Sequence, residues 1–341
     1  MSELQASITF LQQLVATSSF SKKEEHSANL LEQYLKGQGL VVHRKHNNVW
    51  ARNFHFDANK PSILLNSHHD TVQPNTNYMR DPFAADIAEG RLYGLGSNDA
   101  GGALVCLLFN FLSLVFAATA EEEISGENGI ASILSEIGPI DFAIVGEPTA
   151  LNMAIAEKGL MVIDAYAHGK AGHAAHNNHE NAIEIAMRDI QWLQKNFFED
   201  VSTLLGPVKT TVTQINAGTQ HNVVPDQCHF VIDVRTNEKY SNQEVFDLLS
   251  KHLQSKLIAR SFRLNSSGIP EDHILIDVAQ KLGIKTYGSP TLSDQALMPF
   301  PSVKIGPGES SRSHTADEFI TLEELEAGLH CYQQILKNLV L

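Results

Sequence analysis

Ala117-Ala118-Thr119-Ala120-Glu121-Glu122-Glu123 is the stretch on which the reading of this chain turns, an apolar run that breaks abruptly into three consecutive carboxylates. Leu114, Val115 and Phe116 lead into it without the alternation that would expose one face to water, which is the pattern of a strand covered on both sides. In an open α/β sheet the carboxyl ends of such strands open onto the ligand crevice, so charge placed there is available for chemistry. Taken alone, an acidic triplet is more often a solvated turn, here before Gly126 and Gly129. The company it keeps points the other way.

Residues 61–66 predict a second buried strand that delivers Ser67-His68-His69-Asp70, and residues 142–145 a third that delivers Gly146-Glu147-Pro148-Thr149. Around them, residues 4–15 carry apolar side chains at helical spacing. Ser21 and Glu24 form an expected capping box opening a helix stopped by Gly37 and Gly39, and residues 40–43 and 49–52 read as short strands. From Gly159 the pattern becomes strand (160–168), helix (181–196), two strands (208–216, 227–235), helix (243–253) and a last strand (258–264). That β-α-β-β-α-β order is ferredoxin-like. The first domain then resumes with a helix (273–282), strands at 285–287 and 302–305, and a helix (321–338). The expected fold is α/β, a mixed sheet flanked by helices (residues 1–158 and 267–341, a phosphorylase/hydrolase-like catalytic domain). Into it is inserted a ferredoxin-like α+β lid or dimerisation domain (159–266).

A chain of 341 residues exceeds one comfortable core, in keeping with this division. Its formal charge of −14 argues against nucleic acid or an anionic membrane as partner. Three cysteines far apart imply no disulfide framework, and the N-terminus shows no secretory pattern, so the cytoplasm is expected. Residues 100–120 hold no charge and are long enough to cross a bilayer, but Gly101-Gly102, Asn110 and Ser113 interrupt them. A buried helix (100–112) running into a buried strand (114–119) explains them better, with an unusually short connection over residues 110–113.

His68-x-Asp70 suits a metal ligand whose other ring nitrogen is held by a carboxylate. The glycines of Gly94-Leu95-Gly96-Ser97-Asn98-Asp99 are out of register for a dinucleotide loop, and Asp99 would repel a pyrophosphate. A tight turn that lets Asp99 bridge two cations uses them better. Adjacent Glu122 and Glu123 allow one carboxylate to bind metal while the other serves as general base. Glu147 before Pro148, and His314 beyond Gly306-Pro307-Gly308, complete the set. Singly, each has a plainer reading: His314 a surface histidine, Glu147 a cap, Asp99 a helix N-cap.

Together, Ser67-His68-His69-Asp70-Thr71-Val72, residues 90–99, Thr119-Ala120-Glu121-Glu122-Glu123, Gly146-Glu147-Pro148-Thr149 and Ser313-His314-Thr315 resemble the co-catalytic dizinc aminoacylase and carboxypeptidase family. The resemblance, closest to its acetylornithine deacetylase branch, implies two zinc ions, replaceable by cobalt or manganese. His68 and Glu147 would hold one, Glu123 and His314 the other, with Asp99 bridging. It further implies Glu122 as general base, Asp70 orienting His68, and a lid contributing His173 to the scissile carbonyl, often from the partner subunit of a homodimer. Asn222 and Arg235 would bind substrate, although Arg235 reads equally as half of a surface ion pair. Two departures stand out: no lysine follows Asp99, and the triplet opens with Glu121 where the family more often has Asp. The substrate implied is a small N-acyl amino acid, N-acetylornithine first. N-acetyl- or N-succinylcitrulline, N-succinylornithine, succinyl-diaminopimelate and small peptides follow, and a silent zinc-binding scaffold is the rival from another class.

Overall fold

The protein is described by a computed structural model covering residues 2–53, 60–111, 115–195 and 198–339. It divides into two units: Met1–Ile155, Gly268–Tyr287 and Ser293–Leu341 form the first, Ala156–Ser267 and Gly288–Leu292 the second.

In unit one a mixed sheet runs in the order Val42–Lys45, Asn48–Arg52, Val115–Thr119, Ile63–His68, Phe142–Val145, Ser302–Lys304, Met153–Glu157. The four central strands are parallel and the flanking ones antiparallel. Alternate residues feed two separate cores. Ile63, Leu65, Phe116, Ala118 and Ile144 pack with the helices Glu3–Val15, Glu25–Gly37, Gly102–Phe109 and Leu322–Asn338. Leu64, Val115, Ala117, Ala143 and Val145 pack with Trp50, Ile130, Ile133 and Met298 on the other face. Both faces are therefore dry, which is why these strands read as unbroken apolar runs.

Residues 100–120 divide into the buried helix Gly102–Phe109 and the buried strand Val115–Thr119. Leu112, Ser113 and Leu114, and with them most of the short connection expected there, lie outside the described residues. Among the described residues no helix is long and apolar enough to cross a membrane.

Two local expectations are corrected. The capping box does not form: the helix begins at Glu25, with no side-chain cap at Glu24. Ser21 instead donates its hydroxyl to the buried Asp70 carboxylate, at 2.7 Å from Oδ2, a charge-assisted bond that holds its side chain at the strand end. The last strand of the second segment is Lys256–Ala259 rather than 258–264, since Leu257 packs against the core and leaves Ile258 46% exposed.

Unit two has the strand order Lys209–Ala217, Gln227–Arg235, Met161–His168, Lys256–Ala259, all antiparallel. Helices Ala182–Leu193 and Asn242–His252 join the core on one face. Buried Asp189 closes that layer by accepting from the backbone N–H groups of Gln254 and Ser255. The edge strand Lys209–Ala217 is largely exposed, with Ile215 half-exposed.

Candidate metal centre

Parallel pairing brings three strand ends level. His68 is the last residue of its strand and pairs with Thr119; Glu122 and Glu123 follow that neighbour, and Glu147 follows the strand on the other side. Asp99 lies in the turn Ser97–Gly101, just after Gly96 at φ 77°, where a Cβ would meet Thr71 Cγ2 at 2.6 Å. Glycine satisfies both demands at once. The Asp99–Ala100 peptide is cis. His314 sits beyond the short helix Ser310–Arg312.

His68 Nε2 lies 3.3 Å from Asp99 Oδ1 and 3.9 Å from both Glu122 Oε2 and Glu147 Oε1. His314 Nε2 lies 2.9 Å from Glu123 Oε2 and 3.7 Å from Asp99 Oδ2. Two groups result, His68 with Glu122 and Glu147, and His68 with Asp99 and Glu123, each with its ligand atoms within 4.8 Å of one another. All five of these residues are largely buried, whereas His314 is 53% exposed.

Asp70 works more on the acidic turn than on His68. Its carboxylate accepts from the N–H of Glu122 at 3.0 Å and of Glu123 at 3.3 Å, as well as from Ser21. His68 Nδ1 is 3.0 Å from the Asp70 backbone carbonyl and 3.4 Å from its carboxylate. With Nδ1–H donating there, Nε2 faces the cluster as a free lone pair. Glu121 turns away, accepting from Asn128, so the departure from Asp at this position leaves the cluster intact.

The donor set fits cations. Burial, then neighbouring carboxylates, push the Glu147 carboxyl up to about 8 against the pull of His68, and burial lifts Glu122 well above the ordinary range. Burial opposes charge on His68, yet Glu122 and the hydrogen bonds of Asp70 and Asp99 raise its proton affinity well above that of free imidazole. His314 is raised to about 9 by its bond to Glu123. Among the described residues Glu147 Oε1 is buried without a hydrogen-bond partner. Carboxylates and imidazoles crowded this closely need positive charge between them, and an oxygen and nitrogen donor set of this kind suits divalent metals.

Two buried carboxylates were invisible in the sequence. Asp294 accepts from Thr119 Oγ1 at 2.7 Å and Asn66 Nδ2 at 2.9 Å, tying together the strands that deliver His68 and Glu122; burial pushes it up to about 6. Glu318 accepts from three backbone N–H groups of the turn that holds Asp99, and burial followed by the charge of Asp99 pushes it up to about 8. Neither belongs to any of the motifs quoted from the sequence.

In unit two, the ribbon Gly172–His173 with Val223–Val224 brings His173 next to Asn222, whose carbonyl accepts from Ala174 N. Arg235 forms a two-bond ion pair with Asp233 at 2.8 and 3.0 Å, the alternative kept open above. It ends a strand that starts beside that ribbon, at Gln227. Its eight residue steps of about 3.4 Å make that strand roughly 27 Å long.

Residues 64–338 match the family described as Peptidase family M20/M25/M40. The chain belongs to this family. As a member of it, the protein is a metallohydrolase. It is 27% identical to the acetylornithine deacetylase of Proteus mirabilis, over 98% of this chain and 97% of that protein. It is 24% identical to the succinyl-diaminopimelate desuccinylase of Blochmanniella floridana, over 98% and 99%. The crystal structure of the Bacillus subtilis YxeP protein, described as a dinuclear metal-binding peptidase of the M20 family, superposes with a TM-score of 0.70 at 17% identity, covering 99% of each chain. The mixed sheet flanked by helices is thus the M20 fold.

Proposed function

We propose that this M20 hydrolase is a cytoplasmic, zinc-dependent deacylase that releases an amino acid from its N-acyl derivative, with N-acetylornithine, an intermediate of arginine biosynthesis, as first substrate. The observation that carries the chemistry is the clustering of His68, Asp99, Glu122, Glu123 and Glu147, with His314 beside Glu123. The substrate rests on likeness to acetylornithine deacetylase along nearly the whole chain. Succinyl-diaminopimelate is the second choice, favoured by the comparable likeness to a desuccinylase.

His68 and Glu147 would hold one zinc, Glu123 and His314 the other, and Asp99 both. Cations so held polarise an amide carbonyl and acidify the attacking water. Glu122, anchored through its N–H to Asp70 and with its proton affinity raised, takes the proton from that water and returns it to the leaving amine. His173 is assigned to the oxyanion, Asn222 and Arg235 to the substrate's polar groups, and Arg235 to its α-carboxylate.

The strand that leads from beside the ribbon to Arg235 is roughly 27 Å long, more than a small N-acyl amino acid spans. We therefore assign His173 and Asn222 to a second copy of the chain, paired through unit two acting as lid and dimerisation module. The exposed edge strand Lys209–Ala217 supports this pairing.

The test is kcat/KM on N-acetylornithine, the acetyl and succinyl derivatives of citrulline and ornithine, succinyl-diaminopimelate and dipeptides. Highest turnover on N-acetylornithine is expected. A preference for succinyl-diaminopimelate or dipeptides would reassign the substrate, and zinc uptake without any turnover would favour a silent scaffold.

A further inference from the structure

We propose that Glu318 is a positioning residue that sets Asp99 and His314 relative to each other, and so governs the affinity of the cation position His314 shares with Asp99 more than that of the position His68 and Glu147 share with it. The inference rests on the two-cation reading.

Strand Phe319–Thr321 pairs antiparallel with Arg91–Tyr93, Phe319 opposite Tyr93. This register sets Glu318 beside Gly94, whose N–H donates to the Glu318 carbonyl at 2.9 Å. The side chain, 2% exposed, then enters the turn that follows. Its Oε1 accepts from the N–H groups of Asn98 and Asp99, both at 2.9 Å, and its Oε2 from that of Gly96 at 3.2 Å. Three converging N–H donors are matched by a carboxyl group, both of whose oxygens accept, better than by an amide, whose nitrogen only donates.

The same turn is tied a second time. Asn98, fully buried, donates Nδ2–H to the Glu309 carbonyl at 3.0 Å and accepts from Glu309 N at 2.9 Å. Glu309 and Glu318 are the two ends of the loop that carries His314, so both ends of that loop are bonded to the turn that carries Asp99. His68 and Glu147, by contrast, are held by the central sheet and have no such link to Glu318 among the described contacts. Loss of the Glu318 carboxylate frees the Asp99 turn and one end of the His314 loop together, and leaves the sheet-borne ligands in place.

The test is calorimetric titration of the metal-free full chain with zinc, followed by the visible spectrum of each successive cobalt equivalent. Wild type should take up two equivalents. Glu318→Ala should weaken one equivalent about 10- to 100-fold, the usual cost of removing an outer-shell partner, and the other by less, because Asp99 serves both positions. Glu318→Gln, which can keep the two Oε1 contacts, should recover most of that loss and provides the answer should the alanine variant fold poorly. The larger change in the cobalt spectrum should belong to the more weakened equivalent. Equal weakening of both equivalents, or no change in either, would overturn the inference. A wild-type chain that takes up no zinc would overturn it together with the two-cation reading.

Discussion

At Glu122, burial and neighbouring charge act on one carboxyl, and its backbone N–H is fixed by Asp70. Glu122→Ala should retain its metal and lose about 100- to 10,000-fold in kcat, the range of a general base. Near-normal turnover would remove Glu122 from that role. His68→Ala takes away the imidazole assigned to one of the two zincs, so the purified variant should lose about one of two zinc equivalents by elemental analysis. The proposed ligands were legible because each follows a buried strand or sits beside turn glycines, places that a chain reader can mark. Asp294 and Glu318 were not, because their partners lie 175 to 228 residues away. No local pattern records such contacts.

Among the elements, the central strands could be recognised because both faces are apolar, and their ends fell where the charges begin. What competed with local rules was tertiary bonding: Ser21 left its expected capping role for Asp70, and Asn48, which falls just before the strand expected at 49–52, is fully buried. Asn48 Oδ1 accepts from Ala120 N at 3.0 Å and its Nδ2 donates to the carbonyls of Asn128 and Lys45. That side chain staples the first strand pair to both ends of the acidic turn. Asn48→Ala should leave those groups unpaired and cost about 1–3 kcal/mol, read as a lower denaturation midpoint. An unchanged midpoint would show that water replaces the amide at no cost.

At the level of the whole molecule, crowded acid makes stability depend on metal and pH. The folded Glu147 and Glu318 carboxyls are raised to about 8 and His314 to about 9, so each holds protons that the unfolded chain has released above pH 6.5. A raised folded value gives stability that is present at low pH and lost as pH rises through it. Buried His69, lowered to about 4, acts in the opposite sense but only below pH 6.5. The metal-free protein should therefore lose thermal stability from pH 6.5 to 8, and saturating zinc should remove that loss by replacing the protons; a metal-free melting temperature that rises over this window would contradict the assignment. If His173 and Arg235 serve one substrate from different subunits, mixing inactive His173→Ala and Arg235→Ala dimers under exchange should restore up to about a quarter of wild-type activity, because one site in each mixed dimer is then complete. No recovery would place both residues in one subunit. The measurement that bears most directly on the account is hydrolysis of N-acetylornithine by the purified chain, followed as prepared, after chelation, and after zinc is restored, with zinc-loaded Glu122→Ala alongside. The account predicts turnover that chelation abolishes and zinc returns, with the variant loaded but slow. Turnover indifferent to chelation, or a variant as fast as wild type, would contradict it.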